Sequence, residues 1–320
     1  FYVYGGGYKS GAGDEERAGG LQIAGGKTLR VGDGVRGLVL MNNEYNVDSP
    51  YGWARIFGEG TLDFGTAAGM FVASDCYGDD TDSSRQTAAL VDCHLAGTGG
   101  VTFTSPTTQD SSKSADSLSG ARMRAIHVGA ANSYAGGTYI DNMMVIPGQA
   151  TSLGSGTVTI VGDPNWGGEL HFDGDYAGTA FANDIVVSGI GFKSTASKTL
   201  WGERAAISAR NKSVKLTGTV TLAGDATVAT SGTGGRLTFE GPIGGTGTLR
   251  VTSGTVVVKK EALAAYEAGR IVADEGAVLK AKYPSVRKAL EFCWIAGGWD
   301  ADRDGVMEGC QHNTMDVEYY

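Results

Sequence analysis

Polar and apolar positions alternate along this chain in short bursts. Three to six residues set Val, Ile, Leu, Phe or Thr against small or polar neighbours, and a glycine-bearing turn follows. The segments 27–32, 36–41, 60–65, 100–105, 156–162, 169–174, 184–192, 213–224, 236–241 and 248–260 all read this way. Period-two alternation rich in Thr and Val predicts half-buried strands, and the glycines mark the turns between them. The pattern hardly changes from Phe1 to about Leu279, so the expected class is all-β. The segments recur every ~10 to 25 residues, which favours a parallel β-helix or β-solenoid, where short strands stack on the strands before and after them. A β-sandwich or jelly roll uses similar strands and is the alternative. The chain has 52 glycines and 6 prolines in 320 residues, which tilts the choice to the solenoid, because its repeated sharp corners need residues that tolerate positive φ.

The pattern shifts near Lys259. Residues 259–270 are helix formers without a breaker and predict a short helix or capping turn. A second helix is expected from Pro284, with Val286, Leu290, Cys293 and Trp294 on one face. The predicted organisation is β-solenoid repeats over 1–258, a cap or linker over 259–283, and a helical and acidic-loop tail over 284–320. The stretches 41–59, 77–90 and 106–124 interrupt the alternation and are expected to be loops or decorations.

Charge narrows the function. Lys and Arg number 26 against 35 Asp and Glu, a net charge of -9, and no run of basic residues occurs. Broad binding to a nucleic-acid backbone needs a positive face, so no nucleic-acid partner is expected. No stretch of 18 apolar residues offers a helical membrane span. Cys76, Cys93, Cys293 and Cys310 form no dense framework, and a Cys76–Cys93 bridge fits the spacing without being required by it.

The segment 132–160, NSYAGGTYIDNMMVIPGQATSLGSGTVTI, resembles the autotransporter-associated β-strand repeat, which opens on Asn-x-Tyr-x-Gly-Gly-Thr and closes on Ala-x-x-Leu-Gly-x-Gly. Residues 241–258 resemble the preceding half of the same repeat. The resemblance implies a β-helical passenger at the bacterial outer surface or outside the cell. It also implies adhesion, glycan contact or spacing as the function, with glycans or cell-surface proteins as partners. Exposed sheet ends separately offer self-association through the solenoid ends.

The tail holds the densest candidate chemistry. Asp300, Asp302 and Asp304 precede Gly305, and Glu308 stands at the ninth position, as in the opening of a calcium loop. Alternating carboxylates repel one another unless a hard cation compensates, so calcium is the cofactor this pattern suggests, with a solvated acidic loop as the equal alternative. Gln311 occupies the place of the usual bidentate Glu. The same tail resembles a catalytic-domain segment of glycoside hydrolase family 116, through Asp302, Asp304, Gly305 and Glu308 and then Thr314 and Asp316. That resemblance places the general acid/base on Asp316. Gly309, His312, Asn313 and Met315 depart from the family pattern. A retaining glycosidase needs a second carboxylate about 5 to 5.5 Å from the first within a sugar pocket, and the likeness spans only the tail. The expected reading is a non-enzymatic surface protein. A carbohydrate-active enzyme, hydrolase or lyase, and a cell-envelope or filament subunit are the alternatives.

Lesser candidates remain. His94 with Cys93, Cys76 and Asp75 has metal-ligand residue types, against the plainer reading of a strand pair. Tyr45, Tyr51, Trp53, Tyr77, Trp166 and Trp201 offer faces on which sugar rings could stack, with core or turn packing the commoner use.

Overall fold

A computed structural model describes residues 2–4, 20–32, 37–42, 54–74, 89–105, 125–162, 167–191, 205–264, 266, 270–281 and 315–317. The fold is all-β. Strands dominate and pair in parallel, in a 19-stranded sheet and a 6-stranded sheet. The expected loops at 41–59, 77–90 and 106–124 lie largely outside the described residues, as does the expected helix from Pro284.

Among the described residues most strands pair not with the next strand in sequence but with one further along. Val101–Thr104 pairs with Thr138–Asp141, which pairs with Val158–Val161, then Ile185–Gly189, then the first residues of Val220–Ser231. This is the first ladder, which on its other side runs back through Gly69–Ser74 and Gly37–Asn42 to Tyr2–Tyr4. The second runs through Ala125–Val128, Met144–Pro147, Glu169–Phe172, Ile207–Arg210 and the end of Val220–Ser231. The third runs through Ala180–Phe181, Ser213–Leu216, Arg236–Phe239, Thr255–Val258, Val278–Ala281 and Met315–Val317. Neighbouring strands in each ladder lie about 4.8 Å apart.

Alternation sets the core. Val101–Thr104 and Val158–Val161 bury every second side chain. Phe71, Phe103, Ile140, Ile160, Val187 and Leu222 are all buried from successive strands of the first ladder. The Phe71 and Phe103 rings stack at 5.3 Å, and Phe64 meets Phe71 edge-on at 5.8 Å. Stacking like side chains at one spacing gives each ring a partner, and such contacts add up along the ladder.

The segment 132–160 closes its turns with its own polar residues. Asn132 Oδ1 accepts from the Leu95 amide at 2.7 Å while its Nδ2 donates to the Ser152 carbonyl at 2.6 Å. Thr138 Oγ1 lies 2.6 Å from the Tyr134 hydroxyl and donates to the Leu153 carbonyl at 3.0 Å. Gly137 has φ +90°, and a Cβ there would sit 2.7 Å from the Thr157 carbonyl oxygen. Only glycine fits that corner without strain.

Within 259–283 the chain forms the helix Lys260–Leu263, which buries Ala262 and Leu263. Arg270–Ala273 and Val278–Ala281 then pair in parallel with Thr248–Ser253 and Thr255–Val258. The alternation read as far as Leu279 therefore has strands at its end.

Candidate functional site

The open surface of the first ladder carries the exposed large apolar side chains of the described residues. Register puts Leu38, Met70, Thr102, Tyr139, Thr159, Val186 and Thr221 in one row across successive strands. Each alternates with a buried neighbour and so points away from the core. Leu38 and Tyr139 are the exposed large apolar side chains among the described residues, at 40% and 41%. A second row two residues on holds Val72, Thr104, Asp141 and Val161. Burial pushes the Asp141 carboxyl above its ordinary value.

The turn after Asp141 fixes where that carboxylate and Tyr139 lie. Asn142 takes φ 52°, a left-handed conformation that asparagine tolerates better than most residues. Its Nδ2 donates to the Ser105 carbonyl at 3.3 Å, and Ser105 Oγ donates to the Ala73 carbonyl at 2.8 Å. Three successive strands are thus tied at the same corner. The result is a sheet face with one phenol ring, one carboxylate and a series of threonine hydroxyls. An aromatic face for apolar ring contact beside oxygen acceptors and donors is the chemistry that suits a sugar.

A second cluster is sealed. Ser208 Oγ donates to Glu169 Oε1 at 2.5 Å and lies 2.6 Å from His171 Nδ1. The hydroxyl has one proton, already given to the carboxylate, so the imidazole N–H donates to it. Glu169 and His171 are 0% exposed and Ser208 is 2% exposed. Acyl-transfer triads place the imidazole between hydroxyl and carboxylate, and here the hydroxyl stands between the other two. The cluster bonds Glu169–Phe172 to Ile207–Arg210 and presents no surface to a substrate.

No protein-family model, curated protein or solved structure matches this chain.

Asp316, the acid/base candidate, belongs to Met315–Val317, which pairs in parallel with Leu279–Ala281 and sets Asp316 opposite Lys280. Asp300, Asp302, Asp304 and Glu308 lie outside the described residues, as do Asp75, Cys76 and the six aromatics singled out for stacking. Among the described residues no group of three metal-ligating side chains forms. His94 is engaged at both nitrogens: Nδ1 donates to the Ala131 carbonyl at 2.8 Å, and Nε2 lies 2.8 Å from Ser133 Oγ. Cys93 is a buried free thiol, and burial, with Asp92 nearby, raises it to about 12. No helix of the described residues is long and apolar enough to cross a membrane. Sequence reasoning missed Tyr139 and Asp141. The signal was there, since Thr138–Asp141 alternates and Tyr139 holds an outward position.

Proposed function

We propose that this chain is a parallel β-solenoid of the bacterial surface or extracellular space, a non-enzymatic scaffold that contacts glycans through the Tyr139 face. Support for the solenoid comes from the parallel ladders, in which each strand pairs with one about 19 or more residues along, as Ala125 does with Met144 and Val158 with Ile185. Chain returning to the same ladders after each turn is what stacked repeats require. The autotransporter-associated repeat remains the family this reading favours, because the Asn132, Tyr134 and Thr138 bonds give its opening motif a physical role.

The observation that carries the glycan reading is the exposed row around Tyr139, with Thr102 and Thr159 beside it and Asp141 on the same strand. Threonine hydroxyls and a phenol suit neutral sugars, whose rings offer apolar faces and whose hydroxyls need partners. The test is binding of the full chain to an array of neutral oligosaccharides, repeated with Tyr139→Ala. Loss of one aromatic platform lowers affinity about five- to tenfold, from roughly 1 to 1.4 kcal/mol of ring contact. Binding unchanged by the substitution refutes this face as the site, and no binding to any glycan refutes the function.

A further inference from the structure

The part of the chain that supplies most of the third ladder is basic. Residues 205–281 contain nine Lys and Arg against six Asp and Glu, in a chain whose net charge is -9. Two of those acids are engaged away from the third ladder: Asp274 pairs with Arg250 at 2.7 Å, and Asp225 accepts from the Thr248 amide at 2.7 Å. Six of the nine, Lys212, Lys215, Arg236, Lys259, Lys260 and Lys280, lie on or next to the strands of this ladder, and Arg210, Arg250 and Arg270 lie on strands of the larger sheet. Register aligns Lys215, Thr238, Val257 and Lys280 in one row and Ser213, Arg236, Thr255 and Val278 in the next. Lys215, Arg236 and Lys280 are exposed, as are Lys259 and Lys260 just beyond Thr255–Val258. Lys212, one residue before Ser213, holds its ammonium 5.9 Å from the Tyr176 ring centroid.

Among the described residues acids also stand near this face, Glu275 in the turn before Val278–Ala281 among them. Glu240 lies 3.4 Å from Lys215 Nζ, Glu261 stands in the short helix, and Asp316 follows Lys280 in register. Three strand spacings separate Lys215 from Lys280, about 14 Å, with Arg236 on a strand between them. The cations are therefore spread at several ångströms each along the ladder, and the hydroxyls of Ser213 and Thr255 lie among them.

We propose that this face docks an acidic polysaccharide whose carboxylates meet Lys215, Arg236 and Lys280. Charge complementarity is the argument: a guanidinium takes a carboxylate bidentately, ammonium groups add point charges, and hydroxyls serve the sugar. A nucleic acid fits less well. Duplex DNA carries a charge every ~1.7 Å, far denser than this row, and single strands want aromatic stacking platforms. The exposed Tyr139 lies on the first ladder instead. The inference concerns a different face from the neutral-glycan site and stands or falls separately from it.

The experiment titrates the full chain with polygalacturonate oligomers, with neutral dextran and with oligo(dT) as comparisons, at 50 and 300 mM NaCl. Polygalacturonate is expected to bind, dextran not to compete, and affinity to fall about tenfold or more across that salt range. Arg236→Gln with Lys280→Gln should weaken binding at least about tenfold and flatten the salt dependence, while Tyr139→Ala leaves it unchanged. Undiminished binding by the double variant overturns the proposal, as does loss on Tyr139→Ala or tighter binding of oligo(dT) than of polygalacturonate. If the double variant fails to fold, the unaltered chain still decides, because salt-independent binding or none overturns the proposal.

Discussion

Replacing Asn132 by Ala removes one side chain and cuts two bonds that join three segments of the chain. The Leu95 amide and the Ser152 carbonyl, both bonded to Asn132 within the interior, lose their partners. Each stranded buried group costs about 1 to 3 kcal/mol, so the loss is roughly 2 to 6 kcal/mol. With a urea dependence on the order of 3 kcal/mol/M, the unfolding midpoint should drop by about 1 M. A local readout separates this cause from general damage. Hydrogen exchange at the Leu95 amide should speed up about thirtyfold or more, since each 1.4 kcal/mol of lost protection is a factor of ten. Amides of Val158–Val161 should change far less. Asn132→Asp keeps an acceptor for Leu95 but has no donor for Ser152 and buries a charge, so it should be no better than Ala. A midpoint shift under about 0.2 M with unaltered exchange at Leu95 would refute the role assigned to Asn132.

Three further outcomes are expected. The Cys93 thiol, raised to about 12, should resist a thiol reagent at pH 8 in the folded chain and react after unfolding. Its folded value exceeds its unfolded one, so its effect on stability is constant below pH ~9 and turns unfavourable as pH rises from there towards 12, a decline that Cys93→Ala should lessen in alkaline melts. Asp63 is held below its usual value by the Gly65 amide at 2.7 Å and then by Arg30 at 2.9 Å. The stability it adds is present above its unfolded value and lost as pH falls through the folded one, so Asp63→Asn should cost about 1 kcal/mol at pH 7 and progressively less in acid melts below pH ~4. Ser208→Ala removes the hydroxyl shared by Glu169 and His171 and should lower stability by about 2 kcal/mol, measured by urea unfolding.

Some of this was legible in the sequence. Alternation such as VTFT and VTIV sets which side chains are buried, and there the expected strands and the observed burial agree. Partnership was not legible, because register is decided by a strand dozens of residues away and the separations vary with each turn. Lys215, Arg236 and Lys280 look scattered along the chain, and only the third ladder makes them neighbours. Glu169 and His171 read as outward positions of a half-exposed strand, yet Glu169–Phe172 is buried at all four positions. Alternation records which face a side chain takes and carries no information on whether that face is covered. Asn132, Tyr134 and Thr138 were visible as a motif, whereas their bonds to Leu95 and Leu153 depend on the fold.

The parallel ladders also give the protein a direction of mechanical weakness. All hydrogen bonds between paired strands point along the ladder, from each strand to the next. Tension along that direction loads one strand's bonds at a time, so the molecule would peel from its end at modest force. Tension along the strands loads every bond of a pair together, and the same ladder then resists as a unit. How such a protein withstands shear therefore depends on where it is gripped, more than on how many bonds it holds.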